Sequence, residues 1–337
     1  MPPRAVHTFI RVCLVLLTSL LTAHTFAAPQ TLHLGAPAPY DLQAFANADL
    51  QRPSLPVRRA VVIVHGVQRN ADAYYASGQT LLEHAGFTPA DTLLLAPRFL
   101  TPNDRAATPT MPLWARNRWM HGTPSSSGRT GIAGFTVLDD LLTYLGDRQR
   151  FPALQEIVLI GHSAGGQLMQ RYALLGSGDQ TLRPGLAVRY VVSSPSSYLY
   201  LDATRLQGER FETASLQACP DYDQYRYGLN GAPDYFTSQG LSPRQVFQRY
   251  AARDVTYLVG RLDDHPDDRV MDRACGAQLQ GRTRVERQLD YLRYEADLAR
   301  RWQLPIRHRQ WQIDGVGHDA TRLFAAPEVA RDVFPDR

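Results

Sequence analysis

The sequence runs to 337 residues, 44% of them hydrophobic, enough to bury the core of one large α/β domain or two small ones, of which the single domain is the expectation. Its formal net charge is +4, and all 36 basic residues are arginine. They are scattered among the 32 acids rather than gathered in a block, which argues against a nucleic-acid-binding module.

Residues 1–28 read as a secretory signal, with Arg4 and Arg11 at its basic start, an apolar run over 12–21 and the small-x-small site Thr25-Phe26-Ala27. The run is short for a bilayer span, and no later stretch approaches that length, so no stable membrane insertion is expected once the signal is removed. A retained N-terminal anchor is the alternative. A periplasmic or secreted mature chain of 29–337 loses Cys13 and keeps Cys219 and Cys275, which in an exported protein are expected to pair.

Residues 29–58 mix Pro, Ala and polar residues around an edge strand at 30–34. Residues 59–66 then form a buried strand ending in the pair His65-Gly66, where His65 is expected to brace the loop. A helix over 71–85 and a buried strand over 91–96 follow. The long irregular stretch 97–131 carries Trp114 and Trp119 beyond a strand end, where it could line a site or simply pack onto the body. An amphipathic helix over 132–145 leads to the unbroken apolar run Ile157-Val158-Leu159-Ile160, the pattern of a strand buried on both faces of a parallel sheet.

At Gly161 the period changes, and Leu168, Tyr172 and Leu175 recur at helical spacing. Between strand and helix stands Gly161-His162-Ser163-Ala164-Gly165, a G-x-S-x-G in the strand-turn-helix setting that gives that motif its meaning. Ser163 is placed on a sharp turn too tight for side chains two positions either side. Its hydroxyl then stands clear at the head of a helix, where the Ala164 N–H and the positive end of the helix dipole face any oxyanion formed there.

A strand at 188–194 comes next. Residues 195–250 break the alternation: they lack sheet periodicity and are rich in tyrosine, including Tyr198 and Tyr225, as suits a cap inserted over a site. The tyrosines could wall a substrate or hold the insertion together. The strand 254–260 ends in a run holding Asp263, Asp264, Asp267 and Asp268. Asp263 is the candidate acid and Asp264 the fallback, while a calcium loop is the alternative use of four aspartates, though not at EF-hand spacing. A helix over 289–302 presents a charged face read as solvated. The final strand, 306–313, leads to Gly315-Val316-Gly317-His318-Asp319 and a helix over 320–333.

Ser163, Asp263 and His318 thus follow one another in the order serine, acid, histidine, each just beyond a predicted strand. On VIVHGVQRNADAYY, GHSAGG, VTYLVGRLDD and DGVGHD, in that order, the chain resembles secreted α/β-hydrolases of the serine esterase and depolymerase type over most of its mature length. The resemblance implies a mostly parallel sheet flanked by helices, with a cap inserted after the strand that follows the nucleophile helix, here 195–250. It also implies hydrolysis of a small or polymeric ester, less often an amide, with no metal or other cofactor.

In that reading Ser163 is the nucleophile, His318 the base and Asp263 its orienting acid. Ala164 and either Val67 or Gln68 supply the oxyanion N–H groups. Gln68, His162, Trp114, Tyr198 and Tyr225 are the candidate substrate contacts. A peptidase or amidase with the same three residues, and a non-catalytic binding protein of the same fold, are the competing readings.

Overall fold

The structure, a computed structural model, describes residues 28–335. The leader expected over 1–28, with Cys13, lies outside the described residues but for its last position. Twelve strands are described: β1 (Gln30–Leu34), β2 (Tyr40–Ala46), β3 (Arg59–Val64), β4 (Thr92–Pro97), β5 (Pro112–Leu113), β6 (Ser127–Gly128), β7 (Glu156–His162), β8 (Ala187–Ser193), β9 (Thr204–Gln207), β10 (Arg210–Thr213), β11 (Asp254–Gly260) and β12 (Arg309–Ile313).

Eight of them form one sheet in the order β1-β2-β4-β3-β7-β8-β11-β12. β1 and β2 are antiparallel, β2 runs antiparallel to β4, and the six strands from β4 to β12 are parallel. Consecutive side chains of a strand point to opposite faces. Along β3, Ala60, Val62 and Val64 enter the core on one face, and Val61 and Ile63 that on the other. Both faces are covered, which is why β3, β4 and β7 read as unbroken apolar runs.

On one face lie α1 (Ala71–His84) and, near the chain end, α8 (Ala320–Phe324) and α9 (Pro327–Val333). The expected single helix over 320–333 is two, because Pro327 lacks the N–H an uninterrupted helix would require and starts α9 instead. The other face carries α2 (Gly134–Gly146), α3 (Ala164–Leu175), α5 (Pro243–Ala251) and α7 (Arg284–Trp302).

β2 was hidden in the stretch expected to hold little beyond an edge strand. It alternates buried and half-buried residues, as a strand near a sheet edge does. The charged face of α7 is solvated at Arg293, Arg300 and Arg301, which are exposed, but the helix begins before residue 289 and its opposite face turns polar and charged side chains inward. Arg284, Arg287, Gln288, Tyr291, Tyr294, Glu295 and Leu298 are buried, and the Glu295 carboxylate accepts from the Tyr250 and Tyr257 hydroxyls at 2.5 and 2.7 Å.

The segment after β8 contains the β9–β10 hairpin, a four-residue turn of helix α4 (Asp234–Thr237) and α5. Its tyrosines are mostly structural. Tyr198 stacks on Tyr291 of α7 at 4.5 Å and Tyr200 packs on Tyr294 at 4.4 Å, so the start of the segment is part of the main core. A disulfide joins Cys219 to Cys275, the first residue of the short helix α6 (Cys275–Gln278). It closes a loop with a sequence separation of 56. No helix among the described residues is long and apolar enough to cross a membrane.

His65, just past β3, is wholly buried. Its Nδ1 hydrogen-bonds the Gly66 carbonyl at 2.9 Å, and its Nε2 accepts the Phe99 N–H at 3.0 Å. It therefore braces the loop as a neutral ring.

Two outcomes are expected. The double Cys219→Ser, Cys275→Ser variant should lose about 2–5 kcal/mol of stability through the freed loop, read by denaturant unfolding against the parent. Burial pushes the His65 pKa down from 6.5 to about 4, so the unfolded chain binds the proton first as pH falls. Stability present above pH 6.5 is then lost down to about 4, by about 2–3 kcal/mol between pH 7.5 and 4.5 from this group. His65→Gln, which keeps an acceptor for Phe99, should show a shallower decline over that window.

Candidate active site

The site lies where the parallel strands end. Ser163 follows β7 with φ +58° and ψ −116°, a left-handed turn that side-chain-bearing residues rarely adopt. Its N–H is held by the Ser193 carbonyl at 2.9 Å. The surrounding glycines are required by close approach. A Cβ on Gly161 would stand 2.1 Å from the Gly165 carbonyl oxygen, one on Gly165 2.4 Å from that of Val64, and one on Gly166 2.3 Å from that of Ser193. These contacts press the start of α3 against the ends of β3 and β8, and leave the Ser163 side chain at the head of the helix.

Asp263 stands three residues beyond the end of β11 and is buried. His318 lies in the loop after β12, and two backbone bonds, Arg261 N–H to Ile313 O and Leu262 N–H to Val316 O, both 2.8 Å, tie the acid's loop to the histidine's. His318 Nδ1 is 2.8 Å from Asp263 Oδ2 and its Nε2 is 3.0 Å from Ser163 Oγ. An ionised carboxylate only accepts, so Nδ1 carries the proton and Nε2 is left to accept from the serine hydroxyl.

Asp263's second oxygen, Oδ1, accepts from Arg284 Nη1 at 2.9 Å, and the same nitrogen reaches Asp268 Oδ2 at 3.0 Å. Burial would raise the Asp263 pKa, but the His318 bond and the Arg284 charge together outweigh it and hold the carboxyl below its ordinary range. Asp264 is exposed, with His265 Nε2 3.9 Å from its Oδ1. Where a calcium ion was the alternative occupant, a guanidinium already stands between Asp263 and Asp268.

The Val67 and Gln68 N–H groups make no hydrogen bond among the described residues. Ala164 opens α3, where the first N–H groups of a helix have no intrahelical acceptor. Two grooves meet at Ser163. One, lined by His318, Asp319, Tyr74 and Gln68, runs towards α1 and α8. The other, about 390 Å³, is lined by Met120, Ala164, Gln167, Ser196, Arg226 and residues 269–273. Val67, Ser163 and Val270 border both.

Of the candidate substrate contacts, Gln68 lines the first groove and is exposed. His162 also lines this groove but is buried at its base, stacked on His318 at 4.8 Å and hydrogen-bonded to the Tyr74 hydroxyl at 2.9 Å, so it supports the histidine. The other three are not brought to the grooves. Trp114 is wholly buried, donating to the Thr123 carbonyl at 2.9 Å. Tyr198 is wholly buried against Tyr257 and Tyr291. The Tyr225 hydroxyl is taken by the His121 carbonyl.

The sequence reading passed over Arg226, Arg284 and Gln167. For Arg284 a signal existed in Thr283-Arg284-Val285-Glu286, a helix-start pattern in which Thr283 Oγ1 accepts from the Glu286 N–H at 3.1 Å. It would have moved the helix start back from residue 289.

No protein-family model matches the chain, and no curated protein matches its sequence. Solved structures do. Poly(aspartic acid) hydrolase-1 from Sphingomonas sp. KT-1 is similar with a TM-score of 0.61 at 17% identity, covering 91% of this chain and 99% of that one. LpqC, a poly(3-hydroxybutyrate) depolymerase from Bordetella parapertussis, is similar with a TM-score of 0.61 at 20% identity, covering 92% of this chain and 91% of the other. With the strand order, the turn at Ser163 and these likenesses together, the chain has the α/β-hydrolase fold.

Proposed function

We propose that the protein is an exported serine hydrolase that cleaves carboxylic esters through an acyl-enzyme. The observation that carries this reading is the continuous chain of contacts from Ser163 Oγ through the His318 ring to Asp263, 3.0 and 2.8 Å long. A serine hydroxyl is a poor nucleophile until a base within hydrogen-bond reach takes its proton.

In the proposed cycle His318 Nε2 accepts the Ser163 proton as Oγ bonds to the ester carbon. The carbonyl electron pair moves onto oxygen, where the N–H groups of Val67 and Ala164 receive it. Asp263 stays ionised and stabilises the imidazolium. His318 then gives its proton to the departing alkoxide as the ester C–O bond breaks. Water repeats the sequence on the acyl-enzyme, releasing the carboxylic acid and restoring the Ser163 hydroxyl.

Export is part of the proposal, supported by the N-terminal pattern and by a disulfide of the kind that persists in oxidising compartments. So is the division of the mature chain into one catalytic domain with an insertion after β8. The names of the two similar structures, a poly(aspartic acid) hydrolase and a poly(3-hydroxybutyrate) depolymerase, put polymers of carboxylic acid units among the substrates to test. Amide cleavage is separated from ester cleavage by comparing p-nitrophenyl esters with the matching anilides.

Ser163→Ala should lower kcat on a p-nitrophenyl ester by about 10⁴-fold or more and abolish labelling by a fluorophosphonate probe. Asp263→Asn should cost about 10³–10⁴-fold, since the amide disturbs the His318 tautomer. A wild-type protein inert to the probe and to every ester tried would point instead to a binding protein of this fold.

A further inference from the structure

The groove on the side of Ser163 away from His318 holds more positive charge than the chemistry at the serine uses. Arg226, Arg269 and Arg273 line it, with Asp272 as the one lining carboxylate. Arg226 Nη2 is engaged by Asp272 Oδ2 at 2.7 Å and by the Tyr227 hydroxyl at 2.8 Å. Its Nη1 makes no hydrogen bond among the described residues. Arg269 and Arg273 are exposed at the rim.

Two further guanidiniums lie beneath. Arg171 is wholly buried and bonds only neutral oxygens: the Gln167 carbonyl at 3.0 Å, Ser197 Oγ at 3.1 Å and the Arg226 carbonyl at 3.2 Å. Arg287 is buried on the carbonyls of Gly281 and Ser196. Neither is in an ion pair among the described residues. The field is felt nearby: burial, then the charges of Arg171 and Arg226, hold the His121 pKa well below its ordinary value. The groove lined by His318 differs, for its other charged lining residue is the acid Asp319.

The two grooves can be assigned to the two halves of an ester. The leaving oxygen must take its proton from His318 Nε2, so the alcohol half departs along the groove that His318 lines. The acyl half then lies in the other groove, past Ala164 and between Met120 and Met271, towards Arg226. We infer that the acyl half ends in a carboxylate, so that the substrates are half-esters of dicarboxylic acids or anionic acyl chains, with the free carboxylate received by Arg226 and the rim arginines. This rests on the serine-hydrolase reading above. A planar guanidinium with an unengaged Nη1 suits a carboxylate, and the surplus charge beneath favours an anion before any contact is made.

The test compares p-nitrophenyl hemiglutarate with p-nitrophenyl valerate, equal in acyl carbon count and different in terminal charge. At low ionic strength the wild type should favour the half-ester in kcat/KM by about tenfold, the equivalent of one modest charge-assisted contact. The preference should shrink as salt is added. Arg226→Gln combined with Asp272→Asn, which leaves no carboxylate uncompensated, should bring the ratio near one. The exposed pair Arg269→Gln, Arg273→Gln should lower it without disturbing buried structure.

A wild type that the fluorophosphonate labels but that cleaves valerate at least as well as the half-ester overturns this inference alone. So does a preference that survives both double variants. A wild type inert to the probe and to both esters overturns the serine-hydrolase reading, and this one with it.

Discussion

The constraint on which the site depends is steric and belongs to the backbone. Ser163 sits in a left-handed turn because α3 must begin within one residue of β7 and lie against two neighbouring strand ends at once. Positions 161, 165 and 166 each place a missing Cβ within 2.4 Å of a carbonyl oxygen, and those oxygens belong to β3, β8 and the helix itself. Backbone in a packed parallel sheet cannot yield as the far end of a side chain can. Holding a serine in that region costs on the order of 1–3 kcal/mol, offset by the surrounding hydrogen bonds and core. The hydroxyl is thereby fixed by the sheet rather than by its own rotamer alone.

Parallel strands do the rest. β7, β11 and β12 run in one direction, so residues 163, 263 and 318, far apart in sequence, emerge at one rim. Their loops are then coupled: the β11 loop donates two backbone hydrogen bonds to the β12 loop, and the Asp263 carboxylate divides its oxygens between His318 and Arg284. The second partner matters to the first. Burial alone would favour a protonated acid, which could not hold the ring in the tautomer that leaves Nε2 free. His318 on Oδ2 and, to a smaller degree, Arg284 on Oδ1 both favour the ionised form and together outweigh that burial.

The parts of the molecule legible in the sequence were those whose signal is local. The apolar runs at 59–64, 92–97 and 156–162 announce strands covered on both faces, and glycine spacing announces the turn at Ser163. Asp263 and His318 were legible because each stands just beyond such a strand or beside glycines. The inward face of α7 repeats at helical spacing through 284, 287, 291, 294 and 298, yet its first turn is hard to recognise as core because arginine, glutamine and glutamate share that face. What makes those residues tolerable inside, the hydroxyls of Tyr250 and Tyr257 on Glu295 and the Ser196 carbonyl on Arg287, comes from segments far along the chain. The same holds for Trp114, Tyr198 and Tyr225: an aromatic side chain beside a site and one stacked in the core look alike until its partner is known.

The segment after β8 and the loop after β11 line the same groove, and they are joined twice. Cys219 belongs to the segment between β10 and α4, and Cys275 to the far end of the loop that follows β11. Arg226 and Asp272 pair across the same junction a few residues from the disulfide. Tyr225, adjacent to Arg226, is fastened in turn to the His121 carbonyl in the loop between β5 and β6, so three segments converge on a short stretch of groove. A covalent bond limits how far the two segments can separate, while the ion pair and the Tyr227 hydroxyl set the direction of the guanidinium within that limit. Orientation is what an arginine fork requires, because its hydrogen bonds are directional where a lysine's are not. In a chain whose 36 Lys and Arg positions are all arginine, that places positional control of the groove's charge in the same contacts that hold the segment after β8 to the loop after β11.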